Sequence, residues 1–368
     1  MISRRISYFL IILSFIPLAF PQGELKLTFY GTIKTYWVMG KGNYSSPYPS
    51  NTASPLDKST SFYSYPGTTT IGFSLQKGET TTDVEIDFEG DGYSPLLLKA
   101  CLTQPLKDNL QIVIGRADPV GELNSFSDNY VKMPGFNPAQ ARGVDQIRFE
   151  ITKNKSGCQI NQAFAIGNLM EFFYGDDEPV EIRAKNPALS YKLSIEFASS
   201  LRLYTFYESQ RVNLSDGNNF EEATPRVFGA GFQMPLKSLQ IQGEIVKGKG
   251  TTFYAGLVGT DSDIKIPSAF KDIHTPRCFK VWNLEMSSPL NKKSEIYAGF
   301  ARTIFSGAIG ESEIEKGEGY FLGIAYQLTN STILKLEYDS FRTGFIYSTG
   351  SLNWAKAHQW FLSTEYSF

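Results

Sequence analysis

The stretch Leu25-Lys-Leu-Thr-Phe-Tyr-Gly-Thr-Ile-Lys-Thr-Tyr-Trp37 decides the fold. One set of alternate positions reads Leu25, Leu27, Phe29, Gly31, Ile33, Thr35 and Trp37. The other reads Lys26, Thr28, Tyr30, Thr32, Lys34 and Tyr36. Side chains on a strand point to opposite faces in turn, so this segment is a strand with one apolar and one polar wall. Its length suffices to cross a bilayer at a tilt, which takes ~9–11 residues. The same alternation recurs along the chain. Val84, Ile86 and Phe88 interleave with Asp83, Glu85, Asp87 and Glu89. Ile147, Phe149 and Ile151 interleave with Gln146, Arg148 and Glu150, and Leu189, Tyr191, Leu193 and Ile195 with Lys192, Ser194 and Glu196. Leu239, Ile241 and Ile245 interleave with Gln240, Gln242 and Glu244, and Leu334, Leu336 and Tyr338 with Lys335, Glu337 and Asp339.

A soluble sandwich alternates too, so the connections must separate the two architectures. Short links fall at 77–80, 104–109, 153–157, 198–200, 235–238, 289–293 and 329–331. Between them come polar, Gly- and Pro-rich links at 39–67, 117–143, 168–186, 209–224, 248–277, 305–318 and 346–354, with 90–94 the one brief member. Short and long alternate strictly, and seven turns plus eight loops imply about sixteen antiparallel strands, with 251–259 able to hold one more. Transmembrane barrels have this asymmetry, with short periplasmic turns, longer extracellular loops and an even strand number. The expectation is an all-β transmembrane barrel.

The N-terminus agrees with export. Arg4 and Arg5 precede an apolar run from Tyr8 to Phe20 that is short for a membrane helix, the layout of a secretory signal peptide over about residues 1–22. Residues 23–368 then form a single domain. Aromatic residues make up 14% of the chain and charged residues only 20%, which suits a β-rich protein with an aromatic surface. Trp37, Tyr191, Tyr207, Tyr320 and Trp360 fall near strand ends, where barrels carry aromatic girdles. A net charge of −2 gives no reason to invoke nucleic acid. Cys101, Cys158 and Cys278 are odd in number and widely spaced, so neither a disulfide framework nor a metal knuckle is expected.

The chain closes with Trp360-Phe-Leu-Ser-Thr-Glu-Tyr-Ser-Phe368, whose alternate set Trp360, Leu362, Thr364, Tyr366 and Phe368 ends on Phe. This resembles the C-terminal assembly signature of the sixteen-stranded trimeric outer-membrane porins. The spacing Gly115…Ser125-Phe126-Ser127-Asp128…Pro134-Gly135…Arg142…Gln146-Ile147-Arg148 resembles the DcaP-like porins in outline, although no aromatic follows soon after Gly115. The resemblance implies a bacterial outer-membrane channel for passive diffusion of small hydrophilic or charged solutes. It also implies a homotrimer, insertion by the barrel-assembly machinery, and contact with outer-membrane lipids and lipopolysaccharide. It further implies a third loop, 117–143, folded into the lumen, where Pro119, Pro134 and Pro138 would stiffen it.

In that arrangement Asp118, Glu122, Asp128 and Lys132 face wall residues such as Lys99, Arg116, Arg148 and Arg202, with Arg142 at the loop's return. Opposed acidic and basic rows would set a transverse field at the constriction, and pore width and lining charge govern selectivity. The polar faces of the strands supply Lys26, Lys34, Lys99, Arg148, Lys192 and Arg202 against Asp83, Glu85, Asp87, Glu150, Glu196, Glu244, Glu337 and Asp339. That balance leaves anion against cation preference open. An enzyme is not expected: His274 and His358 are the only histidines, and neither sits in a nucleophile or metal motif. No cofactor or metal is expected either. The rival readings are a plugged barrel acting as adhesin or scaffold, a secreted β-protein that binds sugars through its loops, and, last, an outer-membrane hydrolase.

Overall fold

The computed structural model describes residues 24–41, 60–66, 69–88, 96–121, 144–167, 180–251, 269–306, 313–346 and 352–368. The expected signal peptide, residues 1–22, lies outside them. Sixteen strands form one closed antiparallel sheet. They are β1 (Leu25–Lys41), β2 (in two pieces, Thr60–Pro66 and Thr70–Lys77), β3 (Thr80–Asp87), β4 (Leu96–Lys107), β5 (Leu110–Ala117), β6 (Val144–Lys155), β7 (Cys158–Gly167) and β8 (Ala188–Phe197). Then come β9 (Arg202–Ser209), β10 (Arg226–Leu236), β11 (Leu239–Lys249), β12 (Cys278–Pro289), β13 (Ser294–Ser306), β14 (Glu313–Thr329), β15 (Thr332–Ile346) and β16 (Leu352–Ser367). Each pairs with its neighbour in sequence. The ring closes because β1 pairs with β2 on one side (Phe29↔Phe73) and with β16 on the other (Trp37↔Leu362).

The alternation of the sequence becomes the two faces of the wall. On β1, Leu27, Phe29, Ile33 and Met39 are at least half exposed, whereas Lys34, Tyr36 and Val38 between them are buried. The exposed set faces outward and continues around the barrel, as an apolar belt does where lipid is the solvent. Phe149, Phe164, Tyr191, Tyr207 and Phe228 stand side by side in register on β6 to β10, all outward. This is a row of rings of the kind expected at a membrane interface. The second half of β16 behaves likewise: Trp360, Leu362, Tyr366 and Phe368 all point out.

The hairpin ends are tight. In the β6–β7 turn, Ser156 and Gly157 both have positive φ (25° and 85°), the backbone that matches the right-handed twist of the flanking strands. On the inner face, large rings lie flat against glycines of the adjacent strand. Phe206 packs over Gly229, Phe279 over Gly248, Phe321 over Gly299 and Tyr297 over Gly323.

The long loops contain more order than their sequence suggests. β1 runs on to Lys41, and Thr60–Pro66 continues β2, so the first loop is shorter than 39–67. Parts of the fourth, fifth and sixth loops build a small structure of their own. Glu181–Ala184, Val212–Ser215 and Phe220–Ala223 pair antiparallel in a separate three-stranded sheet. Its core joins Val180, Val212 and Leu214 to Ala269, Phe270 and Ile273. Lys185 pairs with Glu222, and this hydrogen bond holds the Glu222 carboxyl below its ordinary range.

Candidate functional site

The site is the inner wall where the third loop begins. On β5 and β6 the inward residues are Val113 and Gly115 on one strand and Gln146 and Arg148 opposite them. Buried Gln146 donates from Nε2 to the carbonyls of Ala117 (3.0 Å) and Asp118 (2.9 Å). Arg148 Nη1 donates to the same Asp118 carbonyl at 2.8 Å. These bonds turn the chain inward as it leaves β5. Three residues later it has crossed to β9, four strands away, where a Cβ at Gly121 would sit 2.6 Å from the Phe206 ring. The first residues of the third loop therefore lie inside the barrel.

Three cations and two acids gather beside this segment, in a recess of about 340 Å³ lined by Asp118, Arg148, Glu150, Lys192, Ser194 and Arg202 among others. Asp118 is bound to Lys99 (3.1 Å), which also lies 3.8 Å from Glu85. Arg148 Nε is 2.7 Å from Glu150. Arg202 has no carboxylate partner among the described residues. It donates to Ser194 Oγ (2.9 Å) and Gln233 Oε1 (3.4 Å). From there a ladder continues along the register. Gln233 donates to Gln242 at 3.1 Å, and Gln242 donates to buried Glu285 at 3.4 Å. Five strands, β8 to β12, are thus tied across their inner faces.

Inward cations and acids are interleaved on the first half of the ring, where Lys99 lies by Glu85 and Arg148 by Glu150. Lys99, Arg148, Lys192 and Arg202 belong to β4–β9. Glu208, Glu244, Glu285, Glu337 and Asp339 belong to β9–β15 and are all buried. Two further inward cations, Lys34 and Lys335, are both taken up by Glu365, at 3.4 and 3.6 Å.

The structure brings together Lys99, Asp118, Arg148 and Arg202 of the residues expected from sequence. It does not bring Arg116 to them. Arg116 is the register partner of Asp145 and shares its strand parity with outward Ile114, so it stands on the outer side of the wall, 3.8 Å from Asp145. Nor does Asp118 face the cations across open space, since it contacts Lys99 directly. Glu122, Asp128, Lys132 and Arg142 lie outside the described residues. Gln146, Gln233 and Gln242 were not expected in the site. Their alternation marks them as inward, but nothing in one strand's sequence says which neighbour they meet.

No known protein family's sequence profile matches the chain, and no curated protein matches it. Solved structures do. The outer membrane channel DcaP of Acinetobacter baumannii superposes with a TM-score of 0.75 at 14% identity, over 95% of this chain and 99% of that one. The anion-selective porin from Comamonas acidovorans gives 0.62 at 12% identity, over 94% and 100%. The trimer form of OmpT, an outer membrane protein of Vibrio cholerae, gives 0.58 at 11% identity, over 94% and 99%. At these identities the likeness establishes a shared fold, that of the sixteen-stranded porins.

Proposed function

We propose that the chain is an outer-membrane porin, a water-filled channel for passive diffusion of small hydrophilic or charged solutes. The observation that carries this reading is the pairing of an apolar outer belt with a charged inner wall that the third loop enters at Asp118–Gly121. Barrels of sixteen strands are wide enough to leave an aqueous lumen, and the lining charge then sets what passes. On this reading Arg148 and Arg202, with Lys192 beside them, are the wall charges that select solutes, and Glu122, Asp128, Lys132 and Arg142 of the third loop are the expected counterparts. The likeness to porins supports a homotrimer inserted by the barrel-assembly machinery after export through a signal peptide.

Conductance of the purified, folded protein in a planar bilayer under a salt gradient tests the reading. Stepwise openings are expected, in threes for a trimer. A second reading, a plugged barrel serving as adhesin or scaffold, draws support from the burial of inward Glu208, Glu285, Asp339 and Gln359, each no more than 1% exposed. A membrane-inserted, folded protein that conducts nothing would replace the first reading with the second.

A further inference from the structure

The recess at the start of the third loop is shaped as well as charged. Ala163 on β7 has Glu150 of β6 and Lys192 of β8 as its register partners. Its short side chain leaves a hollow between an acid and a cation. Pro119 and Val120 of the third loop give the hollow an apolar side. Thr152 and Asn161, hydrogen-bonded to each other at 2.9 Å, give it a polar one. A volume of about 340 Å³ falls at the small end of ligand cavities, which run from ~300 Å³ upward, and suits a solute of one ring.

Three cations and two acids line the hollow, which leaves one positive charge in excess. Both acids are engaged, Asp118 by Lys99 and Glu150 by Arg148 and the Gln111 amide. Lys192 and Arg202 stand against the same Tyr204 ring, 5.3 and 6.0 Å from its centroid, so their heads converge. A guanidinium has five N–H donors, and Arg202 uses two of them on Ser194 and Gln233. Its register partner Glu196 makes no ion pair with it and is not part of the lining. A guanidinium fork beside an ammonium matches a planar carboxylate. One excess charge balances one such group. A second carboxylate, or a phosphate monoester with its higher charge, would be pressed toward Glu150 or Asp118.

The rest of the solute has to meet those two acids, Thr152 and Asn161. A carboxylate only accepts hydrogen bonds, and it has about four lone-pair sites, so both acids retain acceptor capacity. Hydrocarbon placed against them would strip water without replacing its hydrogen bonds. Hydroxyl groups would donate to them.

We infer that the recess binds a monocarboxylate carrying several hydroxyl groups, a sugar acid of one ring, on its way through the pore. Arg202 and Lys192 hold the carboxylate, the Glu150 and Asp118 side chains accept from hydroxyls, and Ala163 provides the room. The inference rests on the reading of the chain as a water-filled porin and names the class of solute that this channel favours.

The test records single folded channels in potassium chloride, with glucuronate, hexanoate, adipate, glycine or glucose added to one side at equal concentration. The quantity read is the dwell time of current blockages. Glucuronate is expected to dwell on the order of tenfold longer than each of the others, because it alone joins one carboxylate to several hydroxyls. Arg202→Gln is expected to reduce its dwell time to that of glucose. Ala163→Leu, which fills the hollow and changes no charge, is expected to abolish the glucuronate blockage and to keep the parent's reversal potential in a salt gradient. Hexanoate dwelling as long as glucuronate overturns the role of the hydroxyls, and adipate dwelling longer overturns the single carboxylate. An Arg202→Gln channel blocked like the parent overturns the seat. Stepwise openings of each variant in potassium chloride alone show that it is folded, and the comparison of solutes on the parent needs no variant. A parent that opens no channel overturns the porin reading itself, whereas channels that open and do not discriminate overturn the solute class alone.

Discussion

Gly31 and Phe368 exchange both of their backbone hydrogen bonds, each with an N···O distance of 3.2 Å, and the Phe368 ring lies over the bare Cα of Gly31. A side chain at position 31 would place its Cβ 2.7 Å from that ring and 2.6 Å from the Thr70 carbonyl. The ring could turn aside, but the carbonyl is fixed in the β1–β2 ladder. Gly31→Ala is therefore expected to cost about 1–3 kcal/mol, the usual penalty for overpacking. A lowered urea midpoint for the heat-modifiable, folded gel band checks this. An unchanged midpoint would mean that the seam between β1 and β16 does not depend on this seat.

Arg202 sets the charge of the recess in a way that Arg148 does not, because Glu150 already offsets Arg148. Arg202→Gln keeps a hydrogen-bonding amide at the head of the Ser194–Gln233–Gln242 ladder while removing one positive charge. Selectivity follows the charges lining a constriction, so the substitution should move the reversal potential toward cations severalfold in permeability ratio. Arg116→Gln on the outer side should leave it where it was. A matched shift in both variants would show that the charge acts through the overall field rather than in the recess.

Gln146 anchors the start of the third loop. Replacing it with Leu removes the side-chain bonds to the Ala117 and Asp118 carbonyls and leaves Asp118 held by Arg148 alone, at a cost of about 1–3 kcal/mol. The loop start is then expected to leave the wall, raising single-channel conductance and its open-channel noise. Conductance identical to the parent's would assign the inward course of the loop to Arg148 and to the Phe206 contact of Gly121 alone.

Acid should loosen the sixth loop before the barrel. The backbone N–H of His274 (2.8 Å) and then the Thr275 hydroxyl (3.0 Å) donate to Asp272 and hold its carboxyl below the ordinary value of 3.8. Because the folded group is the stronger acid, the turn is fully supported above the ordinary value. Its support is lost as pH falls through the lower, folded one. Amide exchange at His274 and Thr275 should thus be insensitive to pH-dependent opening from neutrality down to about pH 4 and rise only below it. Asp272→Asn, which keeps the acceptor oxygen, should flatten that dependence.

Strand number and facing were legible in the sequence because each is local, whereas the inward third loop was implied only by the resemblance to porins. Period-two alternation from Leu25 to Trp37 defines a wall, and a short link between two such runs defines a hairpin. The break in β2 was hidden by Pro66, which removes a ladder donor and makes Thr60–Pro66 read as loop. The sheet formed by Glu181–Ala184, Val212–Ser215 and Phe220–Ala223 was hidden because its strands are four residues each and come from two separate loops. Arg116 shows the opposite failure: its parity with Ile112 and Ile114 was readable, yet proximity to Asp118 in sequence suggested proximity in space. The Arg202–Glu285 ladder depends on register between strands joined by long loops. No single strand's composition specifies that stagger.

The glycines opposite the inward rings bear on how the bore could change. Phe206, Phe279, Phe321 and Tyr297 each occupy a notch left by a missing Cβ on the neighbouring strand, so bulky residues line the lumen without narrowing it in proportion to their size. Filling one notch, as in Gly299→Ala against Phe321, should swing a ring toward the axis and constrict the passage without altering a single charge. Calibre and selectivity are then governed by separate residue sets, and either could drift under mutation while the other stayed constant.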